Sequence, residues 1–368
     1  MAEADPIVIV GGGILGASVA YHLRDVDRPV VLFEKNDLLG GGTTRESIAM
    51  LGLSYSAPRA LRRHSRDYYY SLIDDGTVSF DRIGTLEIRE TDATIASLER
   101  TAGDLAELGH RTEWLSPDEV REFGVDPPEG SRCLHIPDEG YLDPSEIIGY
   151  WADEAQSEGV SVRTDSPVTD VRVRDGVVTG VETASGRIAT DTVVNTAGPW
   201  APQINQMAGV SLPLRHNYGP ILVLQTDEEI SLPNTSFPNG HYFREESTAQ
   251  VFAGRHGRSF DEAERSRPDH ARSVPESFYL DVEETISNWI PKLAETRIVN
   301  EWVGLRTITP DGQPIVGETS VEGFSVACGP SGQGVTLAPA IGRELAETIG
   351  SSRSDPAVPE LAPERFDD

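Results

Sequence analysis

The chain commits to its first elements within sixteen residues. Ile7 to Val10 is a short β-branched run, Gly11, Gly12, Gly13, Ile14, Leu15 and Gly16 follow at once, and Ala17 to Leu23 reads as helix. No other stretch limits the possible folds as strongly as this strand turning on glycines into a helix. A second apolar run, Val30 to Phe33, ends in Glu34 and completes the parts of a dinucleotide-binding unit in order. Gly11 permits the tight turn, Gly13 lets the backbone approach a pyrophosphate, and Gly16 lets the helix pack closely on the strand. The phosphates are expected at the helix start, Ile14 and Leu15, where free N–H groups and the macrodipole favour negative charge. Glu34 is expected to accept hydrogen bonds from an adenosine ribose, with Lys35 beside it. It would repel a ribose phosphate, so FAD or NAD is preferred over NADP.

At 368 residues the chain holds about two domains. The formal charge is −29, and of 31 basic residues only Lys35 and Lys292 are lysine. An acidic, lysine-poor surface suits a protein kept soluble at high salt, as in a halophile's cytoplasm, and argues against nucleic acid as a partner. Cys133 and Cys328 form no disulfide framework, and the eight scattered histidines supply no ligand cluster, so no metal is expected. No apolar run reaches membrane-spanning length, and the N-terminus enters the first strand without room for a leader. A cytoplasmic protein without a transmembrane segment is the expectation.

After Glu34 comes a glycine-rich link, Gly40 to Thr44, then Arg45, Glu46 and Ser47. Gly42, Thr43, Thr44, Arg45 and Ser47 are candidates to meet cofactor phosphate or ring edges, the plain alternative being a flexible loop. Ser56 to Leu72 reads as helix, with Arg59, Arg62, Arg63 and Arg66 on a solvated face. Thr85 to Arg89 is a strand and Asp92 to Leu108 an amphipathic helix. Ser116, Pro117, Asp118 and Glu119 make a capping box that starts a short helix. Pro127 to Gly140, rich in proline and acid, reads as a boundary. A helix from Asp143 to about Gly159 leads into a β-meander, Val160 to Arg163, Val168 to Arg174 and Val177 to Thr183. A final strand, Asp191 to Thr196, runs into Ala197, Gly198, Pro199 and Trp200. Leu212 to Thr226, Tyr242 to Arg244, Gln250 to Gly254 and Arg297 to Leu305 read as strands. Asp261 to Ser277 reads as loop or exposed helix, and Val282 to Trp289 as helix. Phe324 to Cys328 is a strand feeding a second glycine-rich loop, Gly329, Gly332 and Gly334. The last helix runs from about Val335 to Ile349, with a tail expected to fray.

Two glycine-rich strand-to-helix junctions, one near each end of the chain, exceed what an NAD domain needs. The second would aim its helix N-terminus at another part of the cofactor. For an isoalloxazine ring, that dipole favours the negative charge of the reduced flavin. FAD is long enough to be held at both ends.

Four blocks then carry a resemblance: the Gly11 to Gly16 fingerprint with Glu34, Val194 to Trp200 (V-N-T-A-G-P-W), Trp302 to Gly317 (W-V-G-L-R-T-I-T-P-D-G-Q-P-I-V-G) and Gly329 to Gly342 (G-P-S-G-Q-G-V-T-L-A-P-A-I-G). In this order they resemble the FAD-dependent D-amino-acid oxidase superfamily, in its glycine oxidase, sarcosine oxidase and dimethylglycine dehydrogenase branch. The resemblance covers nearly the whole chain. It implies an α/β fold with a Rossmann-like FAD-binding domain and a discontinuous second α+β domain built on an antiparallel sheet. The FAD-binding domain would comprise residues 1–80, 140–212 and 303–368, and the substrate-binding domain residues 81–139 and 213–302. It further implies that the backbone at Val168 meets the adenine, that the Ala197 and Gly198 turn with Trp200 meets the cofactor, and that Gly332, Gln333, Gly334 and Val335 meet the flavin.

The arginine of the family's G-L-R-P block, which holds the substrate carboxylate, matches Arg306, although Thr307 replaces the proline. A guanidinium fork suits a carboxylate bidentately. Tyr242 is a second pocket candidate and Tyr218 a weaker one. Monomeric sarcosine oxidases attach FAD through a cysteine that would fall at Gly304, and dimethylglycine dehydrogenases through a histidine near Thr43 and Thr44. Both are missing, so FAD is expected to bind non-covalently. The lysine that promotes oxygen reactivity in sarcosine oxidases has its counterpart at about Phe252, which makes an electron acceptor other than oxygen credible. The leading expectation is oxidation of a small carboxylate-bearing amino acid or N-methylated amine by hydride loss to flavin N5, giving an imine that hydrolyses. One alternative oxidises a 2-hydroxy acid or polyol phosphate and needs a base, for which His216, His241 and His256 are candidates. Another is a non-catalytic flavin-binding subunit of a larger complex. Substrate identity and oligomeric state are open at this stage.

Overall fold

The protein is described from a computed structural model that covers residues 4–52, 57–257, 259–263, 268–269, 272–351 and 358–366. The first strand, Ile7–Val10, is buried at every residue because its two faces enter two different cores. Ile7 and Ile9 pack with the helices Ile14–His22, Arg59–Asp74, Pro144–Ser157 and Gly334–Ser351. Val8 and Val10 pack with the meander Val168–Arg174, Val177–Thr183 and Gly186–Ile188 and with helix Ala201–Met207. A strand covered on both faces reads as a continuous apolar run, which is why I-V-I-V shows no alternation.

Six strands make this sheet, in the order Ile315–Glu318, Phe324–Cys328, Thr192–Asn195, Ile7–Val10, Val30–Phe33 and Ser161–Arg163. All neighbours are parallel except the first pair. The first and last helices cross closely, as small residues allow. A Cβ at Gly342 would strike Ser18, whose hydroxyl donates to the Ala338 carbonyl at 2.7 Å. Pro339 lies inside the last helix and has no N–H for the Val335 carbonyl one turn back. The hydroxyl of Tyr69, fully buried, donates to that carbonyl instead at 2.6 Å. The proline is thus tolerated because a neighbouring helix supplies the missing donor.

The second sheet has eight strands, in the order Arg297–Ile308, Arg215–Gln225, Gln250–Arg255, His241–Ser247, Asn234–Ser236, Thr85–Arg89, Arg132–Ile136 and Glu113–Leu115. It is antiparallel apart from the parallel pair Asn234–Ser236 and Thr85–Arg89. Alternation divides its faces: Leu222, Leu224, Phe243, Val251 and Ala253 pack beneath helix Glu276–Trp289, while Gly219, Ile221, Tyr242 and Arg306 face the first layer.

Several expectations are corrected. The segment 127–140 is no simple boundary, because Arg132–Ile136 is an inner strand of the large sheet with Cys133, Leu134 and Ile136 buried. Five strand residues between proline- and glycine-rich flanks gave too short a signal. Strands Gly186–Ile188 and Ile315–Glu318 were hidden in the same way by glycine and proline neighbours. The second helix starts at Arg59, after Pro58, and Ser56 lies outside the described residues. Arg62 does not sit on a solvated face. It is 6% exposed and bonds the Ala57 carbonyl and Asp104, because helix Asp92–Glu107 covers it. Within the tail, residues 358–366 are packed, with Leu361 fully buried and Arg365 bonded to Asp311 and to the carbonyls of Leu361 and Pro314. Residues 352–357 of that tail and several between 258 and 271 lie outside the described residues.

Removing the Tyr69 hydroxyl leaves a buried carbonyl unsatisfied, so Tyr69→Phe is expected to cost about 1–3 kcal/mol in urea unfolding. Adding Pro339→Ala, which restores an N–H one turn away, should recover much of that loss; an additive double variant would contradict the account.

Candidate active site

Two cavities lie between the layers and share Thr43, Ser47, Arg306, Gly332 and Val335 on their walls. The first runs from Glu34 and Val168 past the glycine turn to Val335. Gly11 stands at φ +107, and a Cβ there would come within 2.7 Å of Ala197 Cα. A Cβ on Gly16 would run into the Gly11 carbonyl, which also accepts from Thr196 Oγ1 at 2.8 Å. Gly13, by contrast, meets only Thr44 Oγ1 at 3.5 Å and lines the open cavity. The three glycines therefore do the separate things expected of them: turn, close packing and exposure of backbone.

Local bonds orient the polar wall. Glu34 Oε2 accepts from Gly12 N and Oε1 from Asn36 N, both at 2.8 Å, so two N–H groups hold the carboxylate with lone pairs to spare. Thr44 Oγ1 accepts from Ile14 N at 3.2 Å, which leaves its own proton for an acceptor in the cavity. Asn195 fixes the next turn, accepting from Ala197 N at 3.0 Å and donating to Asn205 Oδ1 at 2.7 Å. Trp200 lies 3.5 Å from where a Cβ on Gly42 would stand. The Lys35 ammonium sits 3.4 Å from the centre of its ring, and its indole N–H donates to Asp269 at 2.7 Å. The second glycine loop has Gly329, Ser331 and Gly332 at φ +63, +50 and +93, and Ser331 N donates to the Thr307 carbonyl at 3.0 Å. That bond ties the loop to the Arg306 strand.

Of the sequence candidates, Gly11, Gly13, Ile14, Leu15, Glu34, Lys35, Gly42, Thr43, Thr44, Ser47, Val168, Ala197, Gly198, Trp200, Gly332, Gly334, Val335 and Arg306 line the first cavity. Tyr242 lines the second. Four do not lie on either wall: Gly16 backs the turn, Arg45 is exposed, Gln333 is buried at the start of the last helix, and Tyr218, one residue out of phase with Gly219, packs on the opposite face of the sheet.

The second cavity is the more polar one, and Arg306 is its centre. Nη2 donates to the Arg255 carbonyl at 3.0 Å and reaches the Tyr242 hydroxyl at 3.4 Å. Nη1 is buried with no hydrogen-bond partner among the described residues. The guanidinium packs flat on Gly219, where a Cβ would be 3.1 Å from its carbon. Burial pushes the Tyr242 phenol up and the facing Arg306 draws it back. Glu46, another wall residue, is raised by burial and opposed by Arg272 at 3.3 Å. Asn234 is 7% exposed on this wall, with Oδ1 unpaired among the described residues. Of the three candidate histidines only His256 lines the cavity. His216 bonds the Pro199 carbonyl at 3.0 Å, and His241 lies near Thr285. Asn234 was missed because N-T-S between Pro233 and Pro238 reads as a turn, and no sequence signal marked it.

Both junctions, the carboxylate on the wall at one end of the cavity and the positive-φ loop at the other fit a long dinucleotide such as FAD. Gly11→Ala is expected to lower the retained flavin about 10-fold or more, read as flavin absorbance per protein, since a side chain there is both strained and blocked. Full retention would contradict the role given to the turn.

A family model described as FAD dependent oxidoreductase matches residues 6–348. Human mitochondrial sarcosine dehydrogenase is 30% identical over 377 residues, covering 95% of this chain and 40% of that protein. The 4-methylaminobutanoate oxidase (formaldehyde-forming) of Paenarthrobacter nicotinovorans is 28% identical over 366 residues, covering 93% of this chain and 43% of that one. The chain thus spans less than half the length of these curated relatives. Among solved structures, L-proline dehydrogenase from P. horikoshii matches with a TM-score of 0.87 at 25% identity, covering 100% of this chain and 99% of the other. With the model matching from before the first strand into the last helix, the chain belongs to the family of FAD-dependent oxidoreductases.

Proposed function

We propose that the chain oxidises a small amino acid or N-methylated amine that carries a carboxylate. The observation that carries this reading is Arg306 Nη1, a buried charged donor with no partner among the described residues, at the place where the cofactor cavity meets the second cavity. Such a group is costly unless a ligand anion completes it. Arg306 would bind the carboxylate through Nη1 while Tyr242 and the Arg255 carbonyl keep the fork from turning. Tyr242 packs over Gly254 and limits the room beside it. FAD, when bound, supplies the acceptor for the hydride of the substrate C–H. The walls orient that C–H and exclude water, and the resulting imine hydrolyses after release. Among the named relatives, sarcosine dehydrogenase and 4-methylaminobutanoate oxidase act on N-methyl amino acids, which supports the choice of class.

The same reading divides the chain into an FAD-binding part, 1–80, 140–212 and 303–368, and a substrate-binding part between these segments. The last boundary falls within one strand, Arg297–Ile308, whose first half is exposed at a sheet edge and whose second half forms cavity wall. FAD is held non-covalently: Gly304 occupies the expected cysteine position, where a Cβ would stand 3.4 Å from Glu46 Cβ, and no histidine stands in the segment 40–47. Phe252 packs edge-on against Trp302 at the position of the oxygen-activating lysine. Arg244, the cation stacked on Phe252, is paired with Glu246. That environment favours a carrier other than oxygen as electron acceptor. The two cysteines are free and buried, which suits a reducing cytoplasm.

His256 on the cavity wall keeps one other reading in play, oxidation of a 2-hydroxy acid with His256 as base. Anaerobic titration in concentrated KCl with sarcosine, dimethylglycine, glycine, D- and L-proline, D-alanine and 2-hydroxyglutarate separates the two. Bleaching of the flavin band by an amine is expected; bleaching by the hydroxy acid alone would reverse the assignment. Arg306→Leu should raise KM for the reducing amine by about 100-fold with flavin still bound, as for a lost charge-assisted pair. An unchanged KM would remove Arg306 from the site. Acid precipitation is expected to release all the flavin into the supernatant, and flavin left on the pellet would contradict non-covalent binding.

A further inference from the structure

A row of polar side chains crosses the large sheet to the wall of the second cavity, and the reading above gives it no work. Register sets Ser236 opposite Glu87 on one side and opposite Tyr242 on the other. Opposed residues share a face of the sheet, so these side chains meet. The Ser236 hydroxyl stands beside the Glu87 carboxylate across this pairing, within its electrostatic reach, and lies 3.0 Å from His256 Nε2. Glu87 is held in turn by the Arg89 guanidinium. Glu87 and Ser236 are buried, whereas His256 opens onto the cavity, its ring 5.1 Å from that of Tyr242.

The donors and acceptors in this row order themselves. Arginine only donates, and the carboxylate it pairs with only accepts. Ser236 has one proton, and the charge-assisted bond to Glu87 is the stronger use of it. The serine oxygen then has lone pairs for a donor, and the group in reach is His256 Nε2, which must carry the ring proton. Nδ1 is left a bare acceptor. The protein packed around the ring and the charge of Arg306 hold the imidazole pKa below its ordinary value, so the ring is neutral at neutral pH. Burial raises the Glu87 carboxyl and Arg89 opposes the rise. Were Glu87 to hold a proton, the row would run the other way and His256 would show the opposite tautomer.

We propose that Glu87 and Ser236 are positioning residues that fix His256 in the Nε2–H tautomer, so that it meets the substrate amine N–H as an acceptor while Arg306 holds the carboxylate. The identity of the donor rests on the amine-oxidation reading; the tautomer does not.

Nitrogen shifts of 15N-histidine in the flavin-loaded protein report the tautomer, with His256→Asn identifying its signal among the eight histidines. Wild type should show Nε2–H, and Glu87→Gln, which offers Ser236 an amide donor, should shift the ring to Nδ1–H. Glu87→Gln and Ser236→Ala should also raise KM about 10-fold for whichever of sarcosine, dimethylglycine and L-proline reduces the flavin fastest, the loss of one oriented hydrogen bond. The Kd for acetate, which has no amine, should stay unchanged, and Ser236→Thr should restore both readouts. An Nδ1–H ring in wild type, or variants that move neither tautomer nor KM, would overturn the proposal. If the tautomer follows Glu87 but no amine reduces the flavin, the row is upheld and the amine-oxidation reading falls.

Discussion

The site depends on a guanidinium that the protein surrounds but does not finish satisfying. Arg306 is fixed on one side by the Arg255 carbonyl and the Tyr242 hydroxyl, and it lies on a glycine that leaves no side chain beneath it. Nη1 is left without a partner among the described residues. A buried charged donor left unsatisfied costs about 1–3 kcal/mol or somewhat more, a sizeable share of a domain's net stability. Its persistence needs a rigid surround, and the long ladder between Arg215–Gln225 and Arg297–Ile308 supplies one. Asn217 stands opposite Arg306 and Gly219 opposite Gly304, so strand pairing alone sets which residues form the floor.

The cofactor wall is held by the same logic of backbone groups bound in place. Gly12 and Asn36 N–H groups aim Glu34, Ile14 N–H aims Thr44, and the Thr307 carbonyl anchors the loop at Ser331. The last bond joins the two halves of the site, because Thr307 follows Arg306 directly and Ser331 precedes Gly332, where a Cβ would stand 3.3 Å from the Arg306 side chain. Tyr69 reaches the Val335 carbonyl from a third helix, so the wall shared by both cavities is braced from behind.

How much of this the sequence revealed follows from what each residue does locally. Gly11 was legible because no other residue fits a positive-φ turn packed against Ala197, and Gly16 because a Cβ there would strike the Gly11 carbonyl. The buried parallel strands were legible as short apolar runs, Ile7–Val10 and Phe324–Cys328 directly ahead of glycine and Val30–Phe33 ahead of Glu34. Arg306 was legible only through its block of neighbours, since a lone arginine on a strand carries no local signal of burial. Glu87 looked like an ordinary outward residue of T-L-E-I-R, because alternation cannot tell a face open to water from one closed over by another layer. Asn234 and Ser236 lie in a short stretch between prolines that carries no strand pattern, and their strand exists only through pairing with Thr85–Arg89 and His241–Ser247. Contacts between distant segments decided those positions, and local patterns do not encode them.

The account is tested most directly by a crystal structure of the flavin-loaded protein with 2-furoate, a planar carboxylate that cannot be oxidised as an amine. The expected result is the adenosine end of FAD beside Glu34, the ring end beside Gly332 and Val335, and the furoate carboxylate on Arg306 Nη1 within about 3 Å, hydrogen-bond distance. A carboxylate bound elsewhere with Nη1 still unpaired, or a flavin ring that fills the second cavity itself, would contradict it.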